Sequence, residues 1–382
     1  MKNIKTIWVI QTGSLQLSND ICHGVKRYVQ INKTPWRVRF YSPTEKELQT
    51  QSFLQWDEVD GVIMAPTRKM TALARSSPFP IVLTDADYEI PSFPQVDVNN
   101  YQTGKLAAEY FLRKGFRSFF YAETPFSTER GRGFQETLRP LGFDVHTFSL
   151  KSFSLTSARR LNAIKKMTQA LQHIQKPVAL YCEHDPLAAD IILTLQEHGF
   201  HIPNDVAVLG TQNDTLTCET STPYISSIRL PYEEVGYESA RIVDLLLRGR
   251  KPPAEPIRLN PLSITERQST HLMAVPDSNV QKAITYIQTH ACSSIKVREV
   301  AQVAGLSLRA LQARFQNALG YTLQEEIRRV RINRTKTLLE TTSLPLSEIT
   351  EQVGYTDPSY LISAFRTATG MTPGNYRKQF KT

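Results

Sequence analysis

The sequence predicts an α/β front region followed by an all-α back region, and three observations carry this prediction. Short apolar strand patterns alternate with amphipathic helix patterns as far as about residue 268. Beyond "THLMAVPDSN" the strand patterns stop, and apolar residues recur with a period of about 3.6. A short helical pattern with a glycine then occurs twice. We therefore divide the chain into a front domain over 1–268, a linker over 269–277 and an all-α domain over 278–382.

Strand and helix patterns alternate from the first residues of the front region. "TIWVI" predicts the first strand, because it is too short for a signal peptide and no small-residue cleavage site follows it. Further on, "VDGVIMAP", "PIVLTDAD", "PVALYCEHD" and "VAVLGTQND" predict buried strands that end in polar residues. Such alternation is typical of parallel sheets with helices on both faces. The length suffices for two doubly wound sheets, whose ligands bind outside the carboxyl ends of the strands.

The back region contains one helix-turn-helix pattern twice, over about 296–317 and 345–367. Four positions of the first unit, Val300, Gly305, Leu311 and Phe315, align with Ile349, Gly354, Leu361 and Phe365 of the second. The offset is 49 up to the glycine and 50 after it, so the second turn contains one extra residue. Glycine suits the turn because it adopts left-handed backbone angles at low cost. Ser307, and Asp357 followed by Pro358, are predicted to cap the second helix of each unit.

Two short helices joined by a glycine turn form the layout whose second helix enters the DNA major groove. The side chains opposite the apolar stripe then face the bases: Arg can bind guanine, Gln can bind adenine, and Ala or Ile can meet a thymine methyl group. We expect DNA contacts from Arg309, Gln312, Ala313 and Gln316 in the first unit, and from Ser359, Ile362, Ser363 and Arg366 in the second. The smaller side chains of the second unit predict a looser readout there.

A helix over about Thr322–Leu339 is predicted to set the distance between the two units. It carries four arginines, namely Arg328, Arg329, Arg331 and Arg334. Some of these are expected to reach phosphates, and others to be solvated or paired with Glu325 and Glu326.

Charge and cysteine content narrow the class of protein. The net charge is +9, and residues 275–382 hold 14 Lys and Arg against 8 Asp and Glu, so this quarter supplies +6 of it. A basic domain beside a nearly neutral one indicates a polyanionic partner. The four cysteines are scattered and form no metal-binding or disulfide pattern, which predicts reduced thiols in the cytoplasm. No apolar run approaches the roughly 18 residues of a membrane span.

The back domain resembles a known family on specific residues. In "ITEQVGYTDPSYLISAFRTATGMTPGNYRK" the "VGY", the "Y…FR" of the second helix and the final "G.TP..YR" match the signature of AraC-family DNA-binding domains. The resemblance covers about residues 278–380. It implies a monomeric seven-helix domain whose two reading helices enter successive major grooves, about 34 Å apart.

The front region resembles the sugar-binding domain of LacI-type regulators and periplasmic binding proteins, in segments such as "VDVNNYQTGKLAAEYFLRKGFR" and "ISSIRLPYEEVGYESARIVDLLL". This front domain joined to an AraC-type end is the architecture of xylose operon regulators, and the resemblance covers nearly the whole chain. It implies two subdomains with chain crossings near Asp97, Arg229 and Pro256. It also implies a small-molecule sugar effector, expected to be xylose, operator DNA, a homodimer, and RNA polymerase as a partner if the protein is an activator.

The resemblance places effector contacts at strand ends. Arg130 occupies the arginine position of the family's "R..GF" and can donate paired hydrogen bonds to sugar hydroxyls. His184 is expected to point into the cleft, whereas Asp185 is expected to cap the following helix. The remaining expected ligand-binding residues are Gln212, Asn213, Asp85, Gln11 and Thr12. The family commonly has Asp where Gln212 stands, which leaves the identity of the sugar open.

Other classes of function fit the sequence less well. A secreted sugar-binding protein would need a signal peptide and has no use for two DNA-reading units. An enzyme is not expected: Glu183, His184 and Asp185 are adjacent along one strand end and alternate in direction, and no nucleophile elbow or phosphate loop occurs. We therefore expect no catalytic residue, no metal and no cofactor. Another sugar, a sugar phosphate or a non-sugar effector remains an alternative to xylose.

Overall fold

The computed structural model describes residues 4–11, 14–43, 59–66, 77–84, 90, 93–124, 128–150, 157–272, 274–275 and 277–380. The chain divides into two compact units. Unit 1 comprises Met1–Tyr110 and Arg117–Leu272, and unit 2 comprises Phe111–Phe116 and Met273–Thr382.

Unit 1 contains two six-stranded sheets. The strands are β1 (Lys5–Ile10), β2 (Trp36–Tyr41), β3 (Gly61–Met64), β4 (Ile81–Thr84), β5 (Gln95–Val98), β6 (Ser118–Glu123), β7 (Val145–Ser149), β8 (Val178–Cys182), β9 (Val206–Gln212), β10 (Ser226–Arg229), β11 (Ile257–Leu259) and β12 (Ser263–Thr265). The first sheet has the order β11-β5-β4-β3-β1-β2, and the second has the order β12-β10-β9-β8-β6-β7. Central strands such as β3, β4 and β8 are buried along their whole length, as expected where helices cover both faces.

The chain crosses between the sheets three times, close to the predicted places. It leaves the first sheet after β5, leaves the second after β10, and returns from β11 to β12. One detail departs from the predicted parallel sheets, because β12 pairs with β10 in antiparallel register. The reason is that β10 leads out of the second sheet towards a crossing, whereas β12 leads back in from one.

Seven described helices belong wholly or mainly to unit 1: α1 (Leu15–Asn32), α2 (Asn100–Arg113), α3 (Thr128–Leu138), α4 (Ser157–Gln172), α5 (Asp185–Glu197), α6 (Thr215–Thr220) and α7 (Tyr232–Leu247). The helix predicted over "SNDICHGVKRYVQ" is confirmed as α1, and its buried face packs against α7. The helical stretch predicted before Trp56 lies outside the described residues.

Unit 2 contains the helices α8 (Ser278–His290), α9 (Val297–Val303), α10 (Leu308–Leu319), α11 (Leu323–Thr341), α12 (Leu346–Gln352), α13 (Pro358–Thr369) and α14 (Pro373–Phe380). Their side chains form two hydrophobic cores. The first core joins α8, α9 and α10 to Leu323 and Ile327 in the first half of α11. The second joins α12, α13 and α14 to Ile332, Leu338 and Leu339 in the second half. A single helix thus belongs to both helix-turn-helix units.

The turn and cap predictions for unit 2 are confirmed. Gly305 and Gly354 have φ values of 68° and 79°, in the left-handed region. Ser307 accepts a hydrogen bond from Ala310 N, and Asp357 caps α13 with Pro358 in its first turn. Residues 304–307 join α9 to α10, whereas 353–357 join α12 to α13, so the extra residue lies in the second turn as predicted.

Candidate functional site

Arg130 is buried among polar groups near the carboxyl ends of β6 and β8. The side chain comes from α3, and the residue is 5% exposed. Nε donates a hydrogen bond of 2.8 Å to Asn100 Oδ1, and Nη1 donates one of 2.6 Å to the carbonyl oxygen of Glu183. Because Asn100 opens α2 after β5 and Glu183 follows β8, the guanidinium joins three separate segments of unit 1.

Two glycines allow this arrangement by bringing the backbones of α2 and α3 together. A Cβ atom at Gly104 would lie 1.9 Å from Arg130 O, and one at Gly133 would lie 2.0 Å from Tyr101 O. Any larger residue would force the helices apart. The close approach explains why Asn100, the first residue of α2, can reach Arg130.

Glu183 adds a buried negative charge beside this arginine. The residue is 2% exposed, and its carboxylate accepts hydrogen bonds from the backbone N and the Oγ1 of Thr124, the latter at 2.6 Å. Burial raises the pKa of Glu183, while the positive charge of Arg130 and the bonds from Thr124 oppose that rise. The carboxylate therefore links the ends of β6 and β8 and balances the guanidinium charge.

Burial and nearby acidic groups act on the pKa of Arg130 in opposite directions. Burial acts to lower the pKa of Arg130, but the nearby oxygens of Tyr232, Tyr181 and Glu183 outweigh burial, so the pKa lies above its ordinary value. Tyr121 contributes in the same direction. Arg130 consequently remains charged, with oxygen atoms around it.

The structure contradicts the helix cap expected of Asp185. His184 Nδ1 accepts a hydrogen bond of 3.1 Å from Leu187 N, so His184 and not Asp185 is the N-cap of α5. The fully buried carboxylate of Asp185 accepts hydrogen bonds from Ser227 Oγ at 2.6 Å and from Asp214 N at 2.8 Å. These partners lie on other segments, so the Asp185 carboxylate is bonded outside its own helix. Burial raises the pKa of Asp185 to about 7.

Gln212 and Asn213 lie where β9 ends, and both have positive φ angles of 100° and 55°. Residues other than glycine rarely adopt such angles. Where they do, the backbone strain often marks a functional position. Asn213 Oδ1 accepts a hydrogen bond of 2.9 Å from Arg267, and Asn213 N donates one of 2.9 Å to Ser227 Oγ. The amide oxygen of Asn213 thus already has a partner within the protein.

The expected ligand residues of the first sheet are only partly described. Gln11 follows β1, is 2% exposed and donates a 3.2 Å hydrogen bond through Nε2 to Thr84 Oγ1. Within the described residues, its buried Oε1 has no hydrogen-bond partner. Thr12 and Asp85 lie outside the described residues. Gln11 is therefore the one expected residue of this sheet whose surroundings the structure gives.

The first reading helix, α10, has the predicted exposed face. Its buried stripe consists of Leu311, Phe315 and Leu319. The four expected DNA-contacting residues, Arg309, Gln312, Ala313 and Gln316, are all exposed. Gln316 differs from the others because its Nε2 donates a 2.9 Å hydrogen bond to Gly320 O, at the end of the helix.

The second reading helix, α13, is less open on its expected face. Ser363 and Arg366 are exposed, but Ile362 is half-buried. Ser359 is exposed, yet its hydroxyl donates a 2.6 Å hydrogen bond to Asp357 Oδ1. The residue therefore belongs to the N-terminal cap. Tyr360, which was not among the expected residues, is 68% exposed on the same turn.

The four arginines of α11 have different surroundings. Arg329 forms a 2.6 Å ion pair with Glu326, which is fully buried. Arg331 donates to Ala291 O at 2.7 Å, and its guanidinium lies 5.1 Å from the ring centroid of Tyr355. Both residues thus hold unit 2 together. Arg328 and Arg334 are exposed, and phosphate contact stays a prediction for these two.

Sequence reasoning missed Asn100, Glu183 and Tyr232 around Arg130. One signal could have found Asn100, because this polar residue follows directly on a strand end, as the other expected residues do. Glu183 stands beside His184 in the same strand end, but its direction depends on Thr124, a partner distant in sequence.

Within the described parts of the chain, no group of His, Cys, Asp and Glu could hold a metal ion. None of the helices described combines the length and the apolar character that crossing a bilayer requires. The cysteines Cys22, Cys182, Cys218 and Cys292 are free thiols.

Comparison with known families matches both parts of the chain. Residues 108–270 match the periplasmic binding protein-like domain, and residues 300–379 match a helix-turn-helix domain. The xylose operon regulatory proteins of Haemophilus influenzae and Escherichia coli K12 are each 25% identical over 368 residues, which is 94% of this chain and 94% and 93% of those proteins.

The solved structures give the same picture of the fold. The structure of a xylose-binding transcription activator, xylR, aligns over 100% of both chains with a TM-score of 0.64 and 23% identity. A LacI-type regulator from Alkaliphilus metalliredigens in complex with D-xylulofuranose aligns over 70% of this chain and 99% of its own, with a TM-score of 0.56 and 19% identity. The chain thus combines a periplasmic-binding-protein-like domain with an AraC-type helix-turn-helix domain, and it is a DNA-binding transcription regulator related to the xylose operon regulatory proteins.

Proposed function

We propose that the protein regulates a sugar-catabolic operon, and that D-xylose binds to residues 1–268 and alters operator binding by a homodimer through residues 278–382. The observation that carries the proposal is the buried Arg130, held by Asn100 and Glu183 O at the carboxyl ends of the strands. Doubly wound folds bind ligands at this edge. The relationship to xylose operon regulatory proteins supports xylose as the sugar.

The charges near Arg130 favour a neutral sugar over a sugar phosphate. Glu183 already balances the guanidinium, and both residues are almost completely buried. A phosphate monoester carries about two negative charges near neutral pH and would meet this carboxylate without a matching cation. The two hydrogen bonds to Asn100 and Glu183 use only part of the guanidinium's donors. The remaining N–H groups suit the hydroxyls of a pentose.

The sugar acts on DNA binding only if it binds one conformation of the protein more tightly than another. In this proposal, xylose stabilises the conformation of the dimer that places two DNA-binding domains on paired half-sites. If the regulator activates transcription, RNA polymerase is its further partner. The protein then works in the cytoplasm, where its operator is.

Isothermal titration calorimetry with xylose, arabinose, ribose and glucose tests the effector. We expect saturable heat with xylose and weaker or no heat with the other sugars. Absence of heat with every pentose would contradict the proposal. Arg130→Gln and Asn100→Ala should weaken xylose binding, whereas Arg132→Gln, on the exposed side of α3, should not.

The dimer and its response to sugar need separate measurements. Analytical ultracentrifugation should give a dimer at the concentrations used for DNA binding. DNA selected by the protein from a random pool then serves as the operator, and xylose should change the affinity for it several-fold. A monomer that binds this DNA identically with and without xylose would contradict both parts.

A second candidate is the same regulator with another sugar as its effector, and Gln212 is the observation that favours it. The family commonly has Asp at this position, and Gln212 is held at φ 100° where β9 ends. Because an amide donates as well as accepts hydrogen bonds, it can select a different arrangement of hydroxyls. Heat with arabinose or ribose in place of xylose would support this candidate.

A further inference from the structure

Tyr360 is an exposed aromatic side chain on the second reading helix. Within the described part of unit 2, the large apolar side chains that are exposed are Val303, at 45%, and Tyr360, at 68%. Val303 lies at the end of α9, outside the reading helices. Single exposed apolar side chains are common on protein surfaces, so the place of Tyr360 on the reading helix is what makes it informative.

The position of Tyr360 on α13 is well defined. It is the third residue of the helix, after Pro358 and Ser359. Asp357 fixes this first turn, because its Oδ1 accepts hydrogen bonds from Ser359 N at 2.7 Å and from Ser359 Oγ at 2.6 Å. N-terminal residues of a recognition helix are the ones that contact base edges. The ring therefore extends from the capped first turn of α13, at the end that recognition helices place in the groove.

The neighbouring side chains leave this role to Tyr360. The hydroxyl of Ser359 is bonded to the cap, and Ile362 is half-buried. Ser363 is exposed but short, and Arg366 lies in the last turn of the helix. Tyr360 is thus the long exposed side chain of the first turns.

The first unit has no counterpart to this ring. The residue that aligns with Tyr360 in α10 is Ala310, which is half-buried, whereas Arg309 and Gln312 supply long polar side chains there. The two reading helices therefore present different chemistry, one of hydrogen-bonding groups and the other of an aromatic ring. Apolar side chains read DNA by contact with the methyl group of thymine in the major groove.

We propose that Tyr360 is a base-reading residue whose ring packs against a thymine C5-methyl group in the half of the operator bound by α13. The proposal rests on the binding of operator DNA by the full-length protein. It identifies the ring, and not the phenolic hydroxyl, as the part that recognises DNA.

Fluorescence anisotropy on the DNA selected by the full-length protein tests this contact. Tyr360→Ala should weaken binding by about 5- to 100-fold, in the range of one lost base contact. Tyr360→Phe should stay within about twofold of the parent protein, because the ring remains. Retained affinity in Tyr360→Ala, or an equal loss in Tyr360→Phe, would overturn the proposal.

Uracil substitution then locates the methyl group. Each thymine of the α13 half-site is replaced singly by deoxyuridine, which removes the C5-methyl and leaves the pairing edge unchanged. One replacement should weaken the parent protein several-fold and leave Tyr360→Ala unaffected. If every replacement weakens the two proteins equally, the ring does not contact a thymine methyl group.

Two controls separate this contact from other causes. Tyr224 is an exposed tyrosine of unit 1, at 47%, and Tyr224→Ala should bind DNA like the parent protein. Thermal melting should show that Tyr360→Ala keeps the parent stability, because the ring packs against little of unit 2. If the parent protein selects no DNA sequence at all, operator binding fails and not the assignment of Tyr360.

Discussion

Polar side chains serve opposite purposes in the two units of this protein. In unit 1 they are buried and bonded to the protein itself: Arg130 is 5% exposed with two hydrogen bonds, and Asp185 is fully buried with bonds to Ser227 and Asp214. In unit 2 the side chains expected to read DNA, such as Arg309 and Gln312, are exposed. In our proposal, the buried groups of unit 1 bind a small ligand and the exposed groups of unit 2 bind DNA.

The two units order their polar side chains at different stages. Side chains that are fixed during folding lose their rotamer freedom at that stage. A sugar that binds them therefore causes little further loss of conformational entropy. Exposed arginines lose that freedom only when DNA binds. Substitutions of buried polar residues such as Arg130 should therefore change folding stability together with effector binding, whereas substitutions of Arg309 and Gln312 should change DNA affinity alone. The following predictions test this rule, beginning with the largest expected effect.

Arg130→Met should destabilise unit 1 by about 3 kcal/mol and abolish sugar binding. Removing the guanidinium leaves the buried oxygens Asn100 Oδ1 and Glu183 O without their donor, which costs roughly 1–3 kcal/mol for each unsatisfied group, and it takes a stabilising positive charge from the Glu183 carboxylate. Urea unfolding followed by hydrogen exchange in unit 1 measures the loss. The matched control is Arg132→Met on the same helix, whose side chain is 55% exposed and which should cost less than about 0.5 kcal/mol. Equal effects of the two substitutions would contradict the distinction between buried and exposed polar side chains.

Asp185 should make the stability of unit 1 fall as pH rises. The pKa of Asp185 is about 7 in the folded protein and 3.8 when unperturbed. Its contribution to the stability of unit 1 is therefore fully present below pH 3.8 and is lost as pH rises through about 7. A shift of this size corresponds to at most about 4 kcal/mol. Hydrogen exchange of α5 at several pH values should show this decline, and Asp185→Asn should flatten it. A decline unchanged in Asp185→Asn would assign it to another group.

Asp357 of unit 2 should behave in the opposite sense. Hydrogen bonds from Ser359 lower the pKa of its carboxyl group below 3.8. Its contribution is therefore present above pH 3.8 and is lost as pH falls through the lowered value. Hydrogen exchange of α13 should accelerate under acid conditions in the parent protein, and the acid dependence should be weaker in Asp357→Asn. The same sign of pH dependence at α5 and α13 would contradict this pair of predictions.

Arg309→Ala and Gln312→Ala should each weaken operator binding by about 1–3 kcal/mol and relax the sequence preference at one position. Neither should change the stability of unit 2 by more than about 0.5 kcal/mol, because both side chains are exposed. Anisotropy titrations against the selected DNA and thermal melting measure the two quantities. Arg314→Ala is the matched control: it removes the same charge from α10, where Arg314 pairs with Asp277 at 3.3 Å. If it relaxes the sequence preference equally, the reading face is wrongly assigned.

Gln316→Ala should have the smallest effect. Its amide bonds to Gly320 O at the end of α10, so the substitution should lower helix stability by about 0.5 kcal/mol and leave the preferred DNA sequence unchanged. Sequence selection with the variant and hydrogen exchange of α10 check the two halves of the prediction. A changed sequence preference would return Gln316 to the reading face.

Features set by neighbours along the chain could be predicted from the sequence. The turn glycines, the cap at Ser307 and the extra residue of the second turn depend on local backbone geometry, and the structure has them as expected. The alternation of strands and helices gave the doubly wound fold for the same reason.

Features set by distant partners could not be predicted. His184 and not Asp185 caps α5, because Ser227 and Asp214, from other segments, hold the Asp185 carboxylate. Asn100 reaches Arg130 only because Gly104 and Gly133 let two helices touch. The separate roles of the arginines on α11 depend likewise on carbonyl groups and acids that a helical pattern does not reveal.

The shared helix α11 fixes both the distance and the relative rotation of the two reading helices. Its 19 residues give a length of about 28 Å, and one core is attached to each half. An insertion of one residue would rotate one reading helix by about 100° relative to the other and displace it by only about 1.5 Å. Seven inserted residues would nearly restore the rotation but lengthen the helix by about 10 Å. The uninterrupted helix thus sets the spacing of the bases that one chain can read. A change in the length of the helix requires a matching change in the spacing of the operator.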